Sequence, residues 1–383
     1  MKTYTITENE AGQRLDRFLG KLLPVAPASF FYKMLRKKNI TLNSKKAEGS
    51  YKLSAGDEVR LFLSDETIAS FSRTAPSSAA DHASDAVLKA RSGSHMKAHT
   101  SDDEPRVSDG PAGRITSCPA KTGSGLWQQL NQLSKSDIIF EDKDILIINK
   151  PAGMLSQKAK ADDISMNELL IAYLLDNGEL KPDDMRAFRP AVCNRLDRNT
   201  SGVLLAGKSL AGLRFLSELL RSRSINKYYY ALVKGEEQPP REATAYLSKD
   251  EKTNTSQVVM EPSDKDSKKY AIITTRLRQL SSGGGYALLE AELITGKSHQ
   301  IRAQLAAIGH PVIGDAKYGD ASVNKLFFKS CHVRRQLLHA ERVVFPYSEG
   351  FKGVSGKEFV AELPSDFKLT LKALGLNDND RRT

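Results

Sequence analysis

The sequence contains no run of eighteen or more apolar residues, which excludes a helical membrane span. An apolar stretch is also missing from the first residues, MKTYTITENEAGQR, where an export signal would need one, so secretion is not expected. Cysteine is scarce. Cys118, Cys193 and Cys331 stand far apart with no CxxC pair, which rules out a disulfide scaffold and a cysteine-built zinc site. A reducing cytoplasm is the expected location. His299, His310, His332 and His339 form no HExxH or i, i+4 pair, so a catalytic zinc centre is not expected and no metal is assigned. Acidic residues are in deficit, 46 against 57 Lys and Arg, and the net charge of +11 favours a polyanionic partner. The chain has 383 residues, 40% of them apolar. That is material for about two to three domains with sizeable cores.

The surplus charge is uneven along the chain. Residues 1–64 hold 12 basic and 6 acidic side chains, residues 65–136 hold 8 of each, and residues 137–383 hold 37 and 32. The middle stretch is rich in Ser, Ala, Gly, Asp and Thr and poor in large apolar groups, so the entropy of ordering should exceed what burial returns. Three parts are therefore expected: a small domain at 1–64, a flexible, disordered linker at 65–136 and a large domain at 137–383.

In the first part Leu15, Phe18, Leu19, Leu22 and Leu23 recur at helical spacing, and a second helical run covers residues 29–37. Short strands are expected at 40–42 and 58–63, the second following a turn at Ala55-Gly56-Asp57. Arg36, Lys37, Lys38, Lys45 and Lys46 gather at the end of the second helix and the next turn, which suits a phosphate-contacting surface or, equally, a solvated basic face. In the large domain strands are expected at 145–149, 202–206, 228–233, 270–280, 286–294 and 342–345, with helices at 166–176, 209–221 and 298–308. Ser281-Ser282-Gly283-Gly284-Gly285 between two strand patterns reads as a hairpin loop. Hairpins with interspersed helices imply an α+β fold. A largely antiparallel mixed sheet flanked by helices is expected, beside the smaller α+β domain.

Gly202-Val-Leu-Leu-Ala-Gly207-Lys208-Ser209 satisfies the phosphate-loop pattern GxxxxGK[ST] letter for letter. A phosphate loop needs free backbone N–H groups in a turn after a strand, whereas VLLA is an apolar run that itself reads as the strand. Lys208-Ser209 is then a strand exit and helix N-cap. Cys193 has no adjacent His to activate it and reads as a small buried thiol. No second carboxylate advertises itself for glycosidase-type chemistry.

What stands out is Asn194-Arg195-Leu196-Asp197-Arg198-Asn199-Thr200-Ser201-Gly202, a polar loop feeding a strand with one carboxylate between two arginines. A fixed carboxylate there can serve as nucleophile or base, or can simply cap a loop.

NRLDRNTSG resembles HRLDxxTSG, the signature around the catalytic aspartate of the RluA family of pseudouridine synthases. INKPAGMLSQ before it, and KYYYALVKG, LITGKSHQIRAQLAAIGHPVIGDAKYG and LLHA after it, fall in the family's order, so the resemblance spans about residues 137–365. RLDRFL, MLRKKNITLN and KLSAGDEVRLFL resemble the small RNA-binding domain shared by a ribosomal small-subunit protein, tyrosyl-tRNA synthetases and several RNA-modifying enzymes. There the usual Asn-Gly is replaced by Asn43-Ser44.

The resemblance implies isomerisation of uridine to pseudouridine in structured RNA, ribosomal RNA before tRNA, by a cytoplasmic, monomeric enzyme without cofactor. Asp197 matches the essential aspartate, Tyr229 the tyrosine that stacks on uracil, and Arg302 the basic partner of the aspartate. Arg195 matches the arginine that fills the space of the flipped base, and Asn194, His299 and Gln300 complete the implied substrate contacts. Asn194 departs from the family's His, which bears on substrate choice. Arg36, Lys37, Lys38, Lys45 and Lys46 would bind RNA. A noncatalytic RNA-binding protein that keeps the fold is the alternative, and it predicts binding without isomerisation.

Overall fold

The computed structural model describes residues 1–7, 10–72, 132–160, 162–182, 185, 188–250, 255–259 and 270–377. The N-terminal unit contains β1 (Lys2–Thr5), α1 (Leu15–Leu22), α2 (Ala28–Arg36), β2 (Ile40–Leu42), β3 (Glu58–Leu61) and α3 (Asp65–Ser72). Its antiparallel sheet has the order β1-β3-β2. The helical spacing read from the sequence becomes the buried face of α1, where Leu15, Phe18, Leu19 and Leu22 pack with Phe31, Leu35, Ile40, Val59 and Leu61. Asn43 and Ser44 both take left-handed backbone angles in the turn after β2, with Leu42 and Lys45 bridged across it.

The expected linker begins too early. Residues 65–72 form α3 rather than irregular chain, because Ile68 is buried in the N-terminal core and Phe71 packs against Phe30. At the other end Ser134 and Asp137 close a reciprocal capping box around a short 3-10 turn at Lys135–Asp137. The remainder of that stretch, 73–131, lies outside the described residues.

The large unit carries β4 (Ile138–Glu141), β5 (Ile145–Lys150), α4 (Met166–Asp176), β6 (Ala191–Val192), β7 (Ser201–Gly207), α5 (Leu210–Ser222) and β8 (Asn226–Lys234). It continues with β9 (Glu242–Asp250), β10 (Thr255–Val259), β11 (Ala271–Gly283), β12 (Tyr286–Leu293), α6 (Gln300–Ala307), α7 (Ala321–Cys331), β13 (Leu338–Val344), β14 (Glu358–Val360) and α8 (Ser365–Leu374). These strands form one sheet of order β10-β9-β11-β12-β8-β13-β7-β5-β4, with β6 on β7 and β14 on β13. Only β13 and β7 pair in parallel among the described strands, so the sheet is mixed and largely antiparallel, as the α+β reading requires. The β11–β12 hairpin closes on Gly284 and Gly285, both at positive φ, which suits the right-handed twist of the flanking strands.

The sheet buries both faces. Leu146, Ile148, Leu204, Ala231, Val233 and Leu289 face α4 and α6 on one side, while Ile145, Ile147, Val203 and Leu205 meet Leu216, Leu219 and Phe345 on the other. The central strands β5, β7, β8 and β13 converge where the loop preceding β7 leaves the sheet.

Candidate active site

The loop of residues 194–200 joins β6 to β7, and the sequence of β7 fixes its exit. Every residue of β7 is buried and paired, with Lys150 opposite Gly202 and Ile145 opposite Gly207. The phosphate-loop pattern is therefore a strand. Ser209 caps α5 by accepting the Gly212 N–H, and the Lys208 ammonium is held by Glu141 and Glu179. Gly202 has φ +112°, and a Cβ there would lie 2.1 Å from the Ala340 carbonyl oxygen, so β13 can approach only a glycine.

The carboxylate of Asp197 is partly exposed and bonded to Arg302, whose Nη1 donates to Oδ2 at 2.7 Å. Arg302 projects from α6, and its other edge forms a fork with Asp315: Nε to Oδ2 at 2.6 Å and Nη2 to Oδ1 at 2.7 Å. Burial pushes the Asp315 carboxyl up, but Arg302 and the N–H groups of Lys317 and Tyr318 more than reverse this and leave it below its ordinary value. The guanidinium is thus clamped from behind by a fully buried anion and aims its remaining edge at Asp197.

His299 precedes α6 in a left-handed conformation, φ 56°. Its Nδ1 is 3.0 Å from the Tyr318 hydroxyl and its Nε2 is 4.0 Å from Asp197 Oδ1. Desolvation lowers its pKa, with Asp197 opposing and the Arg302 charge reinforcing the shift. Tyr229, on β8 between Ala291 and Ala340, is buried. Burial raises its hydroxyl pKa and the Asp197 charge adds to the rise, so the phenol is protonated and lies within electrostatic reach of the carboxylate.

Asp197, Arg302 and His299 therefore meet in space although they are more than one hundred residues apart at the extremes, and Tyr229 lies within electrostatic reach of the carboxylate. Two expected contacts do not join them. Asn194 turns into the fold: its Oδ1 accepts the Leu205 N–H at 2.7 Å and its Nδ2 donates to the Val203 carbonyl at 3.3 Å, so it closes the loop onto β7 instead of facing a substrate. Gln300 is likewise buried, donating to the Thr274 carbonyl and Thr275 hydroxyl and accepting from Thr295 and Lys297, which fixes the start of α6 against β11. In both cases the side-chain amide is consumed by polar groups of the fold itself. Arg195 is exposed at the loop, and Arg36, Lys37, Lys38, Lys45 and Lys46 are all exposed on the N-terminal unit. Cys193 is inert, its thiol pushed up to about 12 by burial.

Several residues that hold the loop were not singled out from the sequence. The fully buried Lys150 Nζ donates to the carbonyls of Pro151 and Met154 at 2.8 Å and of Arg198 at 3.1 Å. Arg335, paired with Asp366, donates to the next carbonyl, that of Asn199. Ser156 both donates to the Leu196 carbonyl and accepts the Leu196 N–H. The backbone on either side of Asp197 is thus tied on three sides, and the carboxylate is pre-aimed. A lysine that ends an apolar strand, as in ILIINKP, is the one local signal for such a buried amine.

The family described as RNA pseudouridylate synthase matches residues 144–307, from β5 through Asp197 and Tyr229 to the end of α6. A ribosomal large subunit pseudouridine synthase C from Vibrio cholerae is 29% identical over 352 residues, 90% of this chain and 89% of its own. The chain is thus similar to the RNA pseudouridine synthases. The like-named protein of Escherichia coli K12 is 28% identical to this chain over 91% of its length and 89% of the relative's. The solved structure of human RNA Pseudouridylate Synthase Domain Containing 4 overlays 63% of this chain and 94% of its own, at 23% identity and a TM-score of 0.50, and so shares its fold.

Proposed function

We propose that this RNA pseudouridine synthase acts on ribosomal RNA of the large subunit, with Asp197 as the essential nucleophile or base. The named relatives and their near full-length overlap support the substrate. The observation that carries the catalytic assignment is the carboxylate of Asp197, partly open to solvent and clamped by Arg302, beside the buried ring of Tyr229.

The chemistry fits those groups. The reaction breaks the bond from ribose to uracil N1, turns the ring and joins ribose to C5, so no atom is gained or lost and side chains suffice. A uridine in structured RNA must leave its stack at a cost of a few kcal/mol. Tyr229, buried in the resting protein, would stack on the flipped base once it enters, and the exposed Arg195 can fill the gap it leaves. Arg302 keeps one oxygen of Asp197 engaged and leaves Oδ1 toward the substrate. The basic surface of the N-terminal unit supplies sequence-independent attraction to phosphates. The protein is expected to work as a monomer in the cytoplasm.

Ribosomal RNA with tritium at uridine C5 tests this reading: wild-type protein releases tritium to water, and Asp197→Asn binds the same RNA without release. No release by the wild type from any ribosomal RNA would falsify it.

A further inference from the structure

The isomerisation leaves one proton unaccounted for by the groups above. When ribose has been rejoined to C5, that carbon still carries its original hydrogen, with a double bond between C6 and N1. Removing the hydrogen as a proton returns the C5–H electron pair to the ring as the C5=C6 bond. The C6=N1 pair then moves onto N1, which takes up a proton. The step needs a base at the pocket and neither oxidant nor reductant, whichever route Asp197 follows on the ribose side.

Resting on the function proposed above, we propose that His299 is a further catalytic residue, whose Nε2 removes the proton from C5 and whose imidazolium, after exchange with water, protonates N1. Three features of its placement support this. Nε2 faces the free oxygen of Asp197 across 4.0 Å, so it borders the space into which the carboxylate reaches. Nδ1 is anchored 3.0 Å from the Tyr318 oxygen, and the His299 and Tyr318 rings meet edge to face. That oxygen also accepts the Ser256 N–H at 2.7 Å. In the tautomer with the proton on Nδ1, the Tyr318 oxygen accepts from both nitrogens and Nε2 presents a lone pair to the pocket. The left-handed backbone of His299 fixes where the ring sits, held by a Ser256 hydroxyl bond to the preceding carbonyl, that of Ser298.

The neighbouring groups are unsuited to the task. Arg302 is a permanent cation with its fork spent on Asp315. The Tyr229 phenol is held protonated by burial, and Lys150 Nζ points at three carbonyls. The charges facing His299 come from Asp197 and Asp315, which favour an imidazolium, and from Arg302 and Lys317, which oppose it; with burial the balance keeps the resting ring neutral, and proton capture beside Asp197 makes an ion pair.

Single-turnover kinetics with ribosomal RNA carrying protium or deuterium at uridine C5 test the assignment. His299→Gln retains a hydrogen-bonding side chain without a basic nitrogen, and its rate is expected to fall roughly 100-fold. RNA affinity should stay within about threefold of wild type, as for a group that acts after binding. The decisive readout is a primary isotope effect larger than in wild type, because C5–H cleavage becomes rate-limiting, with partial rescue by added imidazole. Tyr318→Phe, which keeps the ring and loses the anchor, should show a smaller change in the same direction and serves if the Gln variant does not fold. An isotope effect equal to wild type overturns the proposal whatever the size of the rate loss. Wild-type protein that releases no tritium overturns the underlying function as well, so the two failures are told apart.

Discussion

At the residue scale, two positions tie the loop that carries Asp197 to the sheet by opposite means, one by having no side chain and one by having a long basic one. Gly202 is required by both its backbone angle and the Ala340 carbonyl. Gly202→Ala is expected to destabilise the protein by about 3 kcal/mol or more, since strain and steric conflict add, and urea unfolding measures it. Lys150 is required by the carbonyls it satisfies. Lys150→Met keeps the volume but orphans the Pro151 and Met154 carbonyls, while that of Arg198 still accepts from Gly153, at an expected loss of roughly 2–4 kcal/mol. The same residue predicts a pH dependence. Desolvation lowers its pKa from 10.5 to about 7, with Arg335 adding repulsion and Asp197 opposing it, so burial makes the ammonium, which alone has a donor for each carbonyl, costlier to hold than in the unfolded chain. Stability contributed by this group is fully present above pH 10.5 and is lost as pH falls toward 7. Between pH 8 and 10 the unfolding free energy of the wild type should therefore rise more steeply than that of Lys150→Met, by about 1.4 kcal/mol per pH unit. Equal slopes would place no titrating amine at this position.

At the scale of elements, the junction of β7 and α5 separates a motif from its meaning. Ser209 accepts from Gly212 and bonds Asp144, so Ser209→Ala should lower the unfolding free energy by about 1 kcal/mol, seen as a lower Tm, and leave tritium release unchanged. Nucleotide turnover abolished in Lys208→Ala would contradict the strand reading. Elements with strong periodicity were legible: α1, α2, α4 and α5 lie within one or two residues of their expected ranges, because an apolar stripe has one face to bury. β9 and β10 were not. The alternation of small and polar residues in EATAYLS carries little apolar contrast, and β9 is a strand because β11 offers it an edge, as β9 in turn does for β10. The helix α3 was hidden by acidic and polar neighbours, and only the core beneath Ile68 selects it.

At the scale of the whole molecule, the charge surplus of the first 64 residues becomes an exposed cluster of Arg36, Lys37, Lys38, Lys45 and Lys46. Replacing all five by Gln should flatten the dependence of RNA affinity on salt, by up to about 0.7–0.9 in log–log slope for each phosphate no longer neutralised, measured by filter binding across salt concentrations. An unchanged slope would put the RNA-binding surface elsewhere. The sequence by itself determined the class of fold and the loop carrying Asp197, since these reside in local patterns of polarity, while Arg302 as its partner was implied only by the resemblance of HQIR to a known family. Only the tertiary structure decided that Asn194 and Gln300 face inward, and that Lys150, Asp315 and Arg335 brace the site. A side chain's chemistry is local, whereas which acceptor it meets depends on strands brought together across more than a hundred residues.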